Sequence, residues 1–163
     1  MLTRKGFLVE KNRYTIDRYR ITTAVYAVIL KDGQLLMSLR QNTGFMDGSY
    51  GLVSGHVEAG ETLAEALVRE TREEANIHVK KAHLGTTLFR SASSPEFNDY
   101  IDFFFLVDDF DGEIKNNEPN KCGELKFFPL DELPGNTISY AKYCVENLLQ
   151  GISYCEWPLR PGN

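Results

Sequence analysis

An α+β domain, with helices layered on a sheet, is the fold class this chain predicts, on three observations. Its apolar runs are strand-sized, two segments repeat apolar residues at helical spacing, and a length of 163 residues suits one domain with short appendages. With 42% hydrophobic and 25% charged residues, the composition is that of a soluble globular protein and excludes disorder over most of the length. The longest apolar stretches, around Ala24–Leu30 and Phe103–Val107, fall far short of the roughly 20 residues a membrane helix needs. Met1–Arg20 lacks the apolar core of a secretory leader, so the expectation is a cytoplasmic protein with no membrane partner. Three cysteines (Cys122, Cys144, Cys155) without CxxC spacing fit a reducing compartment, and neither a disulfide framework nor a cysteine-based zinc site.

The elements follow in order. Residues 1–19 are polar and read as an arm or edge segment. Ile21–Leu30 is β-branched and apolar, hence a buried strand; Lys31, Asp32 and Gly33 make a turn, and Gln34–Arg40 completes a hairpin. Asn42–Tyr50 is a loop, and Gly51–Gly60 is irregular and glycine-rich. Thr62–Ala75 gives the clearest helix signal. Thr62 with Glu65 forms a capping box, Ala64, Leu67, Val68, Thr71 and Ala75 share one side, and Asn76 is a left-handed stop. Ile77–Ser91, Tyr100–Val107 and Glu124–Phe128 are strand-like, with an acidic, Asn-rich connection at Asp108–Cys122. A last helix runs to about Gln150, with Asn136 or Thr137 as its cap, an apolar side of Ile138, Ala141, Val145, Leu148 and Leu149, and Gly151 as its end. Residues 20–150 are therefore the domain, and residues 151–163 a C-terminal tail.

Charge is segmented. The net value of −5 argues against a duplex-binding module, which would show a basic face. Residues 1–20 hold six bases and two acids, residues 55–77 six acids and two bases, and residues 96–132 eleven acids and three bases. Within the middle segment the helical repeat puts Glu74 about 40° and Glu73 about 60° from Glu70, on opposite sides, so three carboxylates share one arc. Such like-charge neighbours cost a few tenths of a kcal/mol per pair, a penalty that a divalent cation with oxygen ligands reverses.

Residues 55–77, GHVEAGETLAEALVRETREEANI, resemble the Nudix box, Gly-x5-Glu-x7-Arg-Glu-U-x-Glu-Glu-x-Gly-U with U a bulky aliphatic. Gly55, Glu61, Arg69, Glu70, Glu73, Glu74 and Ile77 match, while Thr71 replaces an aliphatic and Asn76 a glycine. Neither departure removes a carboxylate. The segment LLMSLRQNTGFMDGSYGLVSGHVEAGE looks like the strand and loop that lead into the box of MutT-type members, and GELKFFPLDELPGNTISY like their closing strand and final helix. The resemblance spans about residues 20–150.

The resemblance implies an α/β/α sandwich with a central mixed sheet flanked by the Nudix helix and a C-terminal helix. It implies Mg2+ or Mn2+ held by Glu70, Glu73, Glu74 and the Gly55 carbonyl, with Glu61 and Arg69 bracing the loop–helix junction. The implied reaction is hydrolysis of a phosphoanhydride in nucleoside triphosphates or related nucleoside diphosphate derivatives. The general base is Glu73 or Glu74, or Glu118 from the later loop, with Glu124 second to it. Arg40 and Asn136 are the expected substrate contacts, Phe45 and Tyr50 candidates for stacking on a base. The partner is a small-molecule nucleotide rather than a nucleic acid, and the protein a monomer or homodimer. A nucleotide-sugar or ADP-ribose pyrophosphatase is the alternative enzyme, although Pro95 stands out of register with the proline such members carry past the box. A non-catalytic nucleotide sensor is the other class, opposed by the retention of all three carboxylates.

Overall fold

A computed structural model describes residues 19–92 and 98–158. The elements run β1 (Thr22–Val28), β2 (Leu30–Lys31), β3 (Gln34–Arg40), β4 (Tyr50–Gly51), β5 (Val53–His56), α1 (Leu63–Ala75), β6 (His78–Arg90), β7 (Tyr100–Asp111), β8 (Cys122–Pro129), α2 (Ser139–Leu149) and β9 (Tyr154–Trp157). The arm up to residue 18, and Pro95, lie outside the described residues.

Five strands form a mixed sheet in the order β5-β1-β7-β6-β9, with β1–β7 and β6–β9 parallel and the other pairs antiparallel. A second sheet centres on β3, with β8 along one edge and β2 and β4 along the other. Helix α1 packs on β1, β5 and β6, and α2 on β6, β7 and β9. The five-stranded sheet is therefore buried on both faces, which explains why β1 reads as an unbroken apolar run; β3 of the second sheet does so because Leu35 and Met37 join one core and Leu36 the other. Side chains divide with the two-residue period: Ala24, Tyr26 and Val28 join the core beneath α2, while Val25 and Ala27 join the core beneath α1. Burying a side chain such as Val25, Leu88 or Phe104 this completely stabilises by roughly 1.5–3 kcal/mol.

The structure revises several local expectations. Ile21–Leu30 is two strands, β1 in the larger sheet and β2 in the smaller, so the hairpin joins β2 to β3. Asp32 (φ 51°) and Gly33 (φ 75°) turn it, both left-handed, as a tight two-residue turn requires. On α1 the Thr62–Glu65 capping box is present and Asn76 closes the helix at φ 60°. Ala66 is buried where Ala64 was expected, and Ala64 is exposed. Thr71 is fully buried, its hydroxyl donating to the Leu67 carbonyl at 2.8 Å, so this position keeps its apolar side with no orphaned polar atom. Neither Asn136 nor Thr137 caps α2. Ile138 occupies the N-cap without a side-chain bond, because Asn136 is drawn away to the Gly48 carbonyl. The segment expected to be a tail contributes β9, which pairs Thr87 to Arg90 of β6 with Tyr154 to Trp157.

Candidate active site

Gly55 and Glu70 fix the geometry of the site. Gly55 lies on β5 opposite Val25, on the face covered by α1. A Cβ at Gly55 would fall on the Glu70 carboxylate, so only glycine lets the helix seat that side chain against the strand. Glu74, one turn on, accepts the Ser54 N–H at 3.2 Å. Burial pushes the Glu74 carboxyl up to about 8, the Glu70 carboxylate adding to the shift and the Ser54 N–H opposing it. Burial also raises Glu70, against the pull of Arg69.

Arg69 braces this wall. Its Nε and Nη2 form a fork with Glu61 at 2.8 and 2.9 Å, Nη2 also donates to the His56 carbonyl at 2.9 Å, and Nη1 reaches Glu70 at 2.5 Å and Glu73 at 3.5 Å. The Arg69 bonds and the Glu58 N–H hold the Glu61 carboxyl down at about 2. One guanidinium thus ties the loop before the helix, the end of β5 and two of the carboxylates together. Among the described residues no three His, Cys, Asp or Glu side chains close into a ligand cluster; Glu70 and Glu73 turn toward Arg69. The donor set is nonetheless that of a hard cation, since Mg2+ takes few carboxylates and keeps several waters. The raised Glu70 and Glu74 carboxyls mark a wall that gains from positive charge.

Glu118 is delivered to the same place by the acidic connection. Asn117 donates its backbone N–H to Glu74 O and its side chain to Arg72 O, both at 3.1 Å, Lys115 N–H reaches Ala75 O, and Asn76 Nδ2 reaches Glu113 O at 3.0 Å. The connection therefore satisfies carbonyls at the end of α1. It leaves Glu118 in the cavity wall, paired with Lys121 at 2.7 Å.

The cavity has a volume of about 920 Å3. Glu70, Glu73, Glu74, Gly55 and Glu118 line one part of it; Arg40, Asn42, Thr43 and Phe45 form a rim. Arg40 donates to Phe45 O at 2.8 Å and Thr43 Oγ1 at 3.1 Å, so it shapes this rim as well as facing the cavity. Three residues singled out as candidate base or substrate contacts, Asn136, Tyr50 and Glu124, do not line it. Asn136 bonds Gly48 O at 2.7 Å, and the Tyr50 hydroxyl donates to Glu124 while its ring packs edge-on against Phe128 at 4.9 Å.

The sequence reading missed the opposite wall. There Arg90, Tyr100, Tyr140 and Trp157 line the cavity, and Arg90 Nε donates to Asp102 Oδ2 at 2.8 Å. Asp102 is fully buried; burial raises its carboxyl, with Arg90 opposing, whereas burial works against the Arg90 charge and the Asp102 carboxylate more than offsets it. The available signal was Asp102 itself, a charge inside the apolar run YIDFFFLV.

Comparison with known proteins matches this architecture. The model of the NUDIX domain matches residues 18–148. An ADP-ribose pyrophosphatase of Methanocaldococcus jannaschii is 34% identical over 132 residues, 78% of this chain and 75% of that one. A NAD-capped RNA hydrolase, NudC, of Vibrio parahaemolyticus is 28% identical over 141 residues, 85% of this chain but about half (51%) of that longer protein. The crystal structure of a MutT NUDIX hydrolase from Burkholderia pseudomallei superposes with a TM-score of 0.72 at 26% identity, covering 78% of this chain and 97% of that one. The chain belongs to the Nudix hydrolase family.

Proposed function

We propose that the chain is a divalent-metal-dependent pyrophosphohydrolase acting on a nucleoside diphosphate linked to a further group. The observation that carries this reading is the convergence of Glu70, Glu73, Glu74, Gly55 and Glu118 on one cavity. Glu70, Glu73, Glu74 and the Gly55 carbonyl would hold Mg2+ or Mn2+; when bound, the ion neutralises phosphate charge and makes a coordinated water acidic. One carboxylate, that of Glu73, Glu74 or Glu118, accepts the water's proton, Glu118 being kept in place by Lys121 and the docked connection. Arg40 supplies a fixed positive charge at the rim for the substrate's phosphates. The likeness to an ADP-ribose pyrophosphatase, together with a cavity in the size range of whole-ligand sites, favours a derivative with two moieties over a simple triphosphate. The active form is a monomer or homodimer in the cytoplasm, and the substrate a small molecule.

The test is Glu73→Gln and Glu74→Gln, each assayed with Mg2+ on a panel of ADP-ribose, nucleotide sugars and nucleoside triphosphates. Each variant is expected to lose about 10²-fold or more in kcat with an unchanged circular dichroism spectrum. Full turnover in both would overturn the metal assignment, and a wild-type protein that binds panel members but hydrolyses none would make it a sensor.

A further inference from the structure

The wall opposite the Nudix helix carries an arginine with spare donors. Arg90 commits Nε to Asp102 and lays its guanidinium against two rings, with Cζ 4.1 Å from the Tyr100 centroid and 4.6 Å from that of Tyr140. Among the described residues Arg90 makes no hydrogen bond through Nη1 or Nη2, and its side chain lines the cavity. Asp102 Oδ1, by contrast, is buried with no partner among the described residues, and Asp102 is fully buried. Leaving a buried carboxylate half-satisfied is costly, and the gain is a guanidinium whose position is fixed from behind.

The chemistry of this wall differs from that of a phosphate site. Arg90 and Asp102 sum to zero charge, so the pair offers directed N–H groups without the net positive field that draws an anion. Its surroundings are flat and apolar: the Tyr100 and Tyr140 rings, with Trp157 completing the wall. Planar N–H donors beside aromatic faces suit an uncharged ring that carries acceptor atoms, the description of a nucleobase edge. The wall also connects directly to the carboxylates, because His56 follows Gly55 and its ring lies 5.8 Å from Tyr100.

We infer that Arg90, oriented by Asp102, is a specificity-determining residue that reads the acceptor edge of the substrate's base. This rests on the proposed function for the identity of the substrate. In it Tyr100 and Tyr140 hold the guanidinium plane, and Asp102 is a positioning residue that never touches the ligand.

The test uses binding rather than turnover, so it stands apart from the hydrolysis assay above. Trp157 is the only tryptophan in the chain and lines the cavity, so its fluorescence reports occupancy. AMP, GMP, UMP and ribose 5-phosphate are titrated in Mg2+ buffer into wild type, Arg90→Gln and Arg90→Lys. Lysine keeps the charge against Asp102, and so protects the fold, but lacks the planar fork. In wild type the tightest nucleotide is expected to bind better than ribose 5-phosphate. Both variants are expected to weaken that nucleotide about ten-fold or more and ribose 5-phosphate less than about two-fold. Equal weakening of nucleotide and ribose 5-phosphate would make Arg90 a phosphate contact or a merely structural residue. Unchanged nucleotide binding, or a wild type that binds no nucleotide better than ribose 5-phosphate, would also overturn the inference. Failure to hydrolyse any panel member, with this base-dependent binding intact, would instead count against the proposed function.

Discussion

Arg69 does more at the site than any other single side chain, because one planar fork joins Glu61, the His56 carbonyl and two of the carboxylates. Its partner Glu61 gives a pH signature. The Glu61 carboxyl sits at about 2 in the fold against an ordinary value of 4.5. A depressed carboxyl contributes stability that is present above the unfolded value and lost as pH falls toward the folded one. The difference in urea midpoint between wild type and Glu61→Gln is therefore expected to be full above about pH 5 and to shrink steadily toward pH 2. A difference independent of pH would mean that Glu61 acts by shape alone. These residues were legible in the sequence because the box is local: the spacing from Gly55 to Ile77 alone places Glu61, Arg69, Glu70, Glu73 and Glu74. The cap expected at Asn136 is not formed, because its side chain bonds a distant loop carbonyl, that of Gly48, which leaves no local pattern in the sequence.

At the scale of elements, α1 and the acidic connection form one unit. The helix needs its last carbonyls satisfied, and the connection needs a surface that holds its polar backbone, so each completes the other. Asn76 joins them: its backbone takes the left-handed stop, and its side chain donates to Glu113 O. Glycine at this position keeps the stop and removes the side-chain bond. Asn76→Gly is expected to change stability by less than about 1 kcal/mol while speeding hydrogen exchange at the Lys115 and Asn117 amides, which bond the Ala75 and Glu74 carbonyls. Unchanged exchange at both would show that the backbone bonds hold the connection without Asn76. The connection's excess of acids, unexplained by composition, thus includes a segment docked to deliver Glu118 to the cavity. Its neighbours Asp109 and Asp111 pair with Lys80 across β6 and β7 instead.

For the whole molecule, the cavity exists only because distant parts of the chain meet. The carboxylate wall is built from β5 and α1, close in sequence, and could be read there. The opposite wall needs β6, β7, α2 and β9, brought together by pairings such as Thr87 with Tyr154 that no local pattern encodes. That is why residues 151–163 read as a tail; the family match, over residues 18–148, ends before Trp157. Strand β9 places Cys155 in the core beneath α2 and Trp157 both against Tyr143 and in the cavity lining. A chain ending at Gly151 exposes Leu88, Cys144 and the edge of β6, and loses the burial of two side chains. That costs about 3 kcal/mol by area and lowers Tm by roughly 6–12 °C in a domain of this size. If Trp157 is part of the substrate wall, the shortened protein assayed well below its new Tm also shows a raised KM, with kcat less affected, since the carboxylates remain. A Tm and KM both equal to those of the full chain would return β9 to the status of a tail.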